Sequence, residues 1–220
     1  MSRKKKHPLT PSRIVDDEVL RIEADIPGKA WRKFYFGDHH ILRIGWTNFD
    51  RVADGLYRSN QPDVRRFRAM AEFGIKSVLN LRGESKTPFY RIIKESCEAF
   101  GMTLFTISGL SASRAPKRES LLQVFDVFDT AQKPLLVHCK SGADRTGLVS
   151  MMYLIDQEGL SVAEARPHLS FRYAHIRRSK AGILDLLIDN FEKVEGQKSL
   201  RDWIAEDYDS EALTRQFKSK

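Results

Sequence analysis

A cysteine and an arginine six residues apart lie in the segment of this sequence with the clearest chemistry. Residues 135–147 read LLVHCKSGADRTG, where an apolar run ends at His138 and Cys139 and a polar loop follows. If the run is a strand and Arg145 opens a helix, the loop N–H groups and the helix N-terminus converge on one space of anion size. The segment therefore predicts an oxyanion site that contains a cysteine.

The residue types in this loop predict covalent phosphoryl transfer. Helix N-termini lower a thiol pKa from about 8.5 to roughly 3.5–7.5, so we expect Cys139 to be an ionised nucleophile. Arg145 offers a planar fork for two phosphoryl oxygens as they become equatorial in the transition state. Gly142 permits a sharp turn, and the Thr146 hydroxyl can hydrogen-bond the sulfur when it departs.

The elements that must position this loop alternate along the chain. Strands are expected near residues 51–59 and at 75–81, 102–108 and 134–138. Helices are expected from 62 to 74, at 87–100, 119–131, 145–157 and 181–194, and from 161 and 200. This alternation predicts an α/β fold with a central, mostly parallel sheet flanked by helices, which binds ligands at the carboxyl ends of its strands.

The loop HCKSGADRTG resembles the HCxxGxxR(S/T)G loop of the cysteine-dependent protein tyrosine and dual-specificity phosphatases. The resemblance covers about residues 50–195, and LYRSNQP at Leu56–Pro62 is similar to the strand-to-helix entry of compact bacterial members. It implies a phosphotyrosine phosphatase-like fold. It also implies a metal-independent phosphomonoester hydrolase that acts through a phosphocysteine on a phosphorylated protein or small phosphoester.

The same resemblance assigns roles to the loop residues. It implies that Cys139 is the nucleophile, that Arg145 binds phosphate, that Thr146 contacts the sulfur and that His138 orients the loop from behind. The substrate-binding loop is completed by Lys140, Ser141, Gly142 and Ala143.

The general acid departs from the common pattern. Most such phosphatases carry an acid aspartate on a loop that corresponds to residues 108–118, yet no Asp or Glu lies between Glu98 and Glu119. We expect Asp144 to protonate the leaving oxygen, because myotubularin-type lipid phosphatases resemble this chain in having CxxGxDR. The alternatives are that Asp144 faces solvent or braces a nearby cation, and that Glu119 or an acid-free mechanism for good leaving groups replaces it.

Two further groups of residues could contact a second anionic group of the substrate, with a solvated surface as the alternative for each. The first comprises Lys140, Arg114, Lys117 and Arg118. The second, within residues 171–180, comprises Arg172, His175 and Lys180.

Composition limits the function classes. The chain has 220 residues, 41% hydrophobic and 30% charged, which is typical of a folded domain. Two cysteines without nearby histidine pairs lack the spacing of a disulfide framework or a zinc site, so no metal or cofactor is expected. Cys97 is expected in the core, and a reversible disulfide to Cys139 is the alternative.

Charge and hydropathy bear on partners and location. Four of the eight net positive charges lie in residues 3–6, so the remaining excess need not mean nucleic-acid binding, and nucleic acid is not an expected partner. No apolar run approaches the roughly 20 residues of a membrane span, and the N-terminus lacks the apolar stretch of a secretory signal. We therefore expect a cytoplasmic protein.

The chain divides into four expected parts. They are a basic, poorly structured arm (1–27), an aromatic and basic collar (28–49), the phosphatase domain (50–195) and a C-terminal helical tail (196–220). We expect the collar aromatics, including Trp31, Phe34, Phe36 and Trp46, to pack on the domain. The alternative is peripheral contact with the anionic inner membrane face, which would suit a lipid or inositol head-group phosphatase.

Two rival functions remain. A noncatalytic phosphate-binding module could lack the loop acid, but the retained Cys139, Arg145 and Thr146 argue against it. Rhodanese-like sulfur transfer also uses a cysteine loop, but it usually lacks the preceding histidine and the following ArgThrGly.

Overall fold

Five strands form a single sheet in the computed structural model, which describes residues 13–38, 41 and 45–219. The spatial order is β1-β2-β5-β3-β4, with β1 (Asp50–Ala53), β2 (Leu56–Ser59), β3 (Ser77–Asn80), β4 (Thr103–Thr106) and β5 (Leu135–His138). β1 and β2 form an antiparallel hairpin, so the single strand expected near 51–59 is two, and the other neighbours are parallel. The predicted mostly parallel α/β fold is confirmed.

Helices cover both faces of this sheet. They are α1 (Asp17–Asp25), α2 (Gly28–Arg32), α3 (Val64–Phe73), α4 (Pro88–Ala99), α5 (Arg118–Thr130), α6 (Asp144–Asp156), α7 (Val162–Ala165), α8 (Gly182–Glu192), α9 (Leu200–Glu206) and α10 (Ser210–Lys218). α2 continues into a π-helical turn, Lys33–Gly37. The termini follow local chemistry: the Asp63 carboxylate caps α3 by accepting from Arg66 N, and Gly74 ends that helix at φ 110°.

The core lies on both faces of β5, which explains its continuous apolar sequence. Leu135 and Val137 join the main cluster under α5, α6 and α8, whereas Leu136 joins a second cluster with side chains of α3 and α4. Cys139 belongs to the first cluster and Cys97 to the second, and both thiols are free. The core position expected for Cys97 is confirmed, and the alternative disulfide is not formed.

The expectation of little structure before residue 28 was wrong for Asp17–Asp25, which form α1. The Asp16 carboxylate accepts from Val19 N, and Val19 and Ile22 are buried in a third cluster with Phe34. Burial of Val19 and Ile22 on one face stabilises this helix. The runs of charged residues around them make the helical spacing of the apolar residues hard to see in the sequence. Residues 1–12 lie outside the described residues.

The collar is only partly packed. Phe34 is fully buried, whereas Phe36 is 63% exposed and Trp46 is 40% exposed. Residues 39–40 and 42–44 of the collar lie outside the described residues.

The expected C-terminal tail is not separate from the domain core. Leu200, Trp203, Ile204 and Leu213 are buried in the main cluster. Among the described residues, no helix is long and apolar enough to cross a bilayer.

Candidate active site

The loop of residues 139–143 lies at the carboxyl ends of three parallel strands. His138, the last residue of β5, is in register with Ser59 of β2 on one side and Asn80 of β3 on the other. α6 begins at Asp144, so the strand–loop–helix unit expected from the sequence is present.

Three hydrogen bonds hold the carbonyl groups of this loop from outside. They run from Gln61 N to Lys140 O at 3.2 Å, from Asn48 Nδ2 to Ser141 O at 2.9 Å and from Arg58 Nη2 to Gly142 O at 2.6 Å. A peptide plane that turns its carbonyl outward turns the following N–H inward, so the loop amides face its interior. In agreement, Gly142 N donates to Cys139 Sγ at 3.3 Å.

Arg58 is a buried support beneath the loop. Its side chain is fully buried, its Nη1 donates to His168 O at 2.6 Å, and its guanidinium lies 3.5 Å from the centre of the Tyr173 ring. Burial lowers the pKa of Arg58 to about 10, which leaves it charged at neutral pH. A charged donor below the loop adds to the positive potential in which an anion is bound.

Gly142 is required by its conformation and by its contacts. Its φ is +73°, and a Cβ there would lie 2.7 Å from Asn60 N and 2.7 Å from Ser59 C. The loop therefore passes too close to the end of β2 for any side chain at this position.

Cys139 has the environment of a thiolate. Burial raises its pKa, but the charge of Arg145, the Thr146 side chain and backbone N–H groups act in the opposite direction and the net effect is to lower it. The Thr146 hydroxyl faces the sulfur without reaching full hydrogen-bond geometry.

Arg145 is anchored by one edge of its guanidinium. Its Nη1 donates to Leu81 O at 2.9 Å and contacts Leu110 O at 3.5 Å. Its Nε is buried, and within the described part of the chain no group accepts a hydrogen bond from it. One donor edge is therefore held in place while another remains available for phosphoryl oxygens.

His138 lies behind the loop as a neutral imidazole. It is fully buried, its Nδ1 donates to Cys139 O at 3.3 Å, and burial lowers its pKa to about 3. A neutral ring leaves the charge balance of the site to Cys139 and the arginines.

Asp144 is paired with a histidine. His175 Nδ1 donates to Asp144 Oδ1 at 2.7 Å, and His175 Nε2 donates to Asp185 Oδ2 at 2.7 Å. Of the three candidates within residues 171–180, His175 thus reaches the loop residue expected to transfer protons.

Lys140 is paired rather than free for a substrate. Its Nζ lies 3.3 Å from Asp38 Oδ1, and Asp38 also accepts two 3.0 Å hydrogen bonds from Arg82. Asp38 is 4% exposed at the end of the π-helical turn, so the collar contacts the loop of residues 139–143 directly.

A groove of about 510 Å³ opens beside Arg145. It is lined by Gly109, Leu110, Ser111, Ala112, Arg114, Ala115, Lys117 and Arg145. None of these described lining residues is acidic, so the groove is positively charged.

The loop of residues 109–117 lines this groove, and its C-terminal end is held by contacts with the C-terminal region of the chain. Tyr208 Oη donates to Pro116 O at 2.7 Å, and Arg118 Nε donates to Tyr208 O at 3.0 Å. Arg118 is therefore engaged away from the groove, unlike Arg114 and Lys117, which line it.

Sequence reasoning missed several supporting residues. Asn48, Arg58 and Asp38 contact the loop, and Asp185 contacts the histidine that binds Asp144. Only Arg58 had a signal, because it lies within the LYRSNQP segment already compared with bacterial phosphatases. Among the described residues, no three His, Cys, Asp or Glu side chains cluster as a metal site requires.

Residues 56–188 match the family model of the dual specificity phosphatase catalytic domain. Because this match spans more than half of the chain, the protein belongs to that family. The chain is 36% identical over 116 residues to inositol diphosphatase DSP1 of Oryza sativa subsp. japonica, and 31% identical over 105 residues to inositol diphosphatase DSP3 of Arabidopsis thaliana. These alignments cover 49% and 46% of this chain.

The chain spans about half the length of these curated relatives, 49% and 50% respectively. The core catalytic domain of the PP-IP phosphatase SIW14 from S. cerevisiae has a similar fold, with a TM-score of 0.53 at 22% identity, covering 68% of this chain and 91% of that one. The active form of Tk-PTP gives 0.52 at 21% identity, covering 67% and 98%. Both likenesses show the phosphatase fold expected from the sequence.

Proposed function

We propose that this protein is a metal-independent, cysteine-dependent phosphatase that acts through a phosphocysteine intermediate. The observation that carries the proposal is the loop in which three carbonyls are held outward, so that the following amides turn inward and Gly142 N donates to Cys139 Sγ. Together with the available Nε of Arg145, these amides provide donors for a trigonal phosphoryl group.

The proposed reaction has two halves. The thiolate of Cys139 attacks phosphorus, and the bond from phosphorus to the leaving oxygen breaks. Water then attacks the phosphocysteine, the sulfur leaves as a thiolate favoured by Thr146, and inorganic phosphate is released. Asp144 is the carboxylate assigned to proton transfer.

The test is turnover of para-nitrophenyl phosphate by Cys139→Ser. We expect no measurable hydrolysis while inorganic phosphate still binds in calorimetry, because the amides and Arg145 hold the anion without the sulfur. Cys97→Ser is the matched control, since that thiol is buried on the other face of the sheet and should leave activity unchanged. Appreciable hydrolysis by Cys139→Ser, or strict dependence on an added divalent metal, would overturn the proposal.

The finer substrate class that we propose is a diphosphate carried on a polyphosphorylated alcohol such as inositol. A phosphate leaving group needs less protonation than an alkoxide, which suits a loop without a carboxylate between residues 98 and 119. Arg114 and Lys117 in the groove beside Arg145 supply positive charge for further phosphates. The names of the inositol diphosphatase relatives agree with this class.

A substrate panel separates this class from a phosphoprotein substrate. We expect kcat/KM for inositol diphosphates to exceed that for phosphotyrosine peptides. The double variant in which both Arg114 and Lys117 are replaced by Ala should have a kcat/KM for inositol diphosphates that is roughly 10-fold or more lower. Its kcat/KM for para-nitrophenyl phosphate should change little. The control replaces Lys86 with Ala, an exposed cation that does not line the groove. A preference for phosphopeptides, or equal loss on both substrates, would contradict the proposal.

We further propose that an anionic membrane surface is a peripheral partner of the protein. Lys29, Arg32, Lys33 and the exposed Phe36 line one shared groove, which combines charge and apolar surface. Phe36→Ser should release the protein from phosphatidylserine vesicles without changing its melting temperature. Equal sedimentation of Phe36→Ser and the wild type would contradict a role of Phe36 at the membrane, and a wild type that does not sediment with such vesicles would argue for a protein free in the cytoplasm.

A further inference from the structure

His175 is a buried histidine with a carboxylate on each ring nitrogen. It is 2% exposed, and its two hydrogen bonds, to Asp144 of α6 and Asp185 of α8, are both 2.7 Å long. A ring that donates from both nitrogens is an imidazolium. The charged ring of His175 therefore links Asp144, the first residue of α6, to Asp185 of α8 by a hydrogen bond on each side.

The two carboxylates that face this ring favour that state. Asp144 faces it from α6, Asp185 faces it from α8, and Arg177 of its own segment lies 4.0 Å from Asp185 and pairs with Asp189 at 2.6 Å. Burial opposes the charge, but the hydrogen bonds to the two carboxylates outweigh burial and raise the pKa of His175 to about 9. At neutral pH the proton is on the imidazole.

We propose that His175 and Asp185 are positioning residues that hold the side chain of Asp144 in place, so that Asp144 acts as the general base on the water that hydrolyses the phosphocysteine. The inference rests on the proposed function and narrows it. Oδ1 of Asp144 accepts from the imidazolium, and within the described residues no group hydrogen-bonds its Oδ2. One oxygen is thus fixed while the other can take a proton.

The atoms balance in this step. The water oxygen forms a bond to phosphorus, the bond from phosphorus to sulfur breaks, and the electron pair remains on Cys139 as a thiolate. The proton of the water passes to Asp144 and then to solvent, and inorganic phosphate is released. In the first half, by contrast, the leaving oxygen takes no proton from Asp144, so that half proceeds best with a leaving group that needs little protonation.

The experiment is rapid-mixing kinetics of His175→Gln with para-nitrophenyl phosphate. Gln retains a hydrogen-bond donor but carries no charge. We expect the steady-state rate to fall by roughly 10–100-fold, with a burst of nitrophenol close to one per enzyme and a burst rate within about twofold of the wild type. The phosphocysteine should accumulate and be visible by mass spectrometry after acid quenching.

A second variant and a control keep the test decisive. Asp185→Asn preserves the shape of the side chain and should show the same burst, which covers a failure of His175→Gln to fold. Arg178→Gln is the control because Arg178 is an exposed cation of the same segment and does not pair with Asp144 or Asp185.

Two results would overturn the inference. One is a burst rate that falls as steeply as turnover and more steeply for alkyl phosphates, which would make Asp144 the acid. The other is wild-type kinetics in both variants, which would make His175 a structural bridge only. Neither result affects the proposed phosphatase activity, which is tested separately by Cys139→Ser and by the metal dependence of turnover.

Discussion

The guanidinium of Arg58 donates to the carbonyl oxygen of Gly142 at 2.6 Å, although the two residues are 84 positions apart in sequence. This hydrogen bond holds the Gly142 carbonyl outward from the loop of residues 139–143, and the same side chain also donates to His168 O. A residue of β2 thus fixes the direction of a peptide in the loop that follows its neighbour β5.

Replacing Arg58 with Met should therefore damage stability and catalysis together. The variant loses two hydrogen bonds from a charged donor, so we expect the free energy of unfolding to fall by ~3 kcal/mol, measured by urea denaturation. The remaining folded protein should show a lower kcat/KM. Arg51→Met is the control, since Arg51 is an exposed residue of β1 and its loss should change neither quantity.

Gly142→Ala tests the close approach of the loop to β2. The Cβ would meet two backbone atoms at 2.7 Å, so the loop must shift, and we expect a loss of activity of at least ~100-fold. Gly159→Ala is matched in conformation, with φ +66°, but nothing lies within 4 Å of its Cβ. It should cost about 1–2 kcal/mol of stability and leave turnover intact. Equal activity of the two variants would contradict the contact argument.

The two thiols should differ in reactivity. Burial raises the pKa of Cys97 to about 12, whereas the pKa of Cys139 is lowered. At pH 6.5 iodoacetamide should alkylate Cys139 first, because the thiolate is the reactive form, and inorganic phosphate should protect it. Peptide mass spectrometry measures both sites, and unfolding in guanidinium should abolish the difference. Faster modification of Cys97 in the folded protein would refute the thiolate assignment.

The His175 ion pairs should make stability depend on pH in a defined window. The folded pKa of about 9 lies above the ordinary value of 6.5, so the stabilisation is fully present below 6.5 and is lost as pH rises through about 9. The difference in free energy of unfolding between the wild type and His175→Gln should follow this course between pH 5 and 10. A difference that grows with pH would show that His175 is neutral in the folded state.

The sequence predicted the sheet and the loop because their signals are local. The apolar run of β5, the caps of α3 and the spacing from Cys139 to Arg145 all lie within short segments. The supports of the loop could not be predicted, because Asn48, Arg58 and Asp38 reach it across tens of residues. Contacts of that kind depend on the packed fold and leave no periodic pattern.

The role of Asp144 shows the same division. Its position directly before Arg145 in the sequence indicates a role in proton transfer. That Asp144 pairs with His175, and that Asp185 binds the other nitrogen of the same ring, is visible only once α8 is placed in the fold. The sequence indicates the segment of residues 171–180 as a candidate for contact with the substrate. It does not show which of the charged side chains in that segment points into the protein. The acid role expected for Asp144 from the sequence stays a prediction, and the burst rates of the His175 and Asp185 variants with alkyl phosphates test it against the base role.

The bond from Tyr208 to Pro116 links the end of the chain to the catalytic groove. Tyr208 lies between α9 and α10, which are outside the matched residues 56–188, yet it holds the loop that carries Arg114 and Lys117. Truncation after residue 188 would remove this tether as well as the buried Trp203 and Leu213. The matched residues therefore lack some of the contacts that hold the groove, and we expect truncation after residue 188 to lower both the free energy of unfolding and the affinity for substrates that need Arg114 and Lys117.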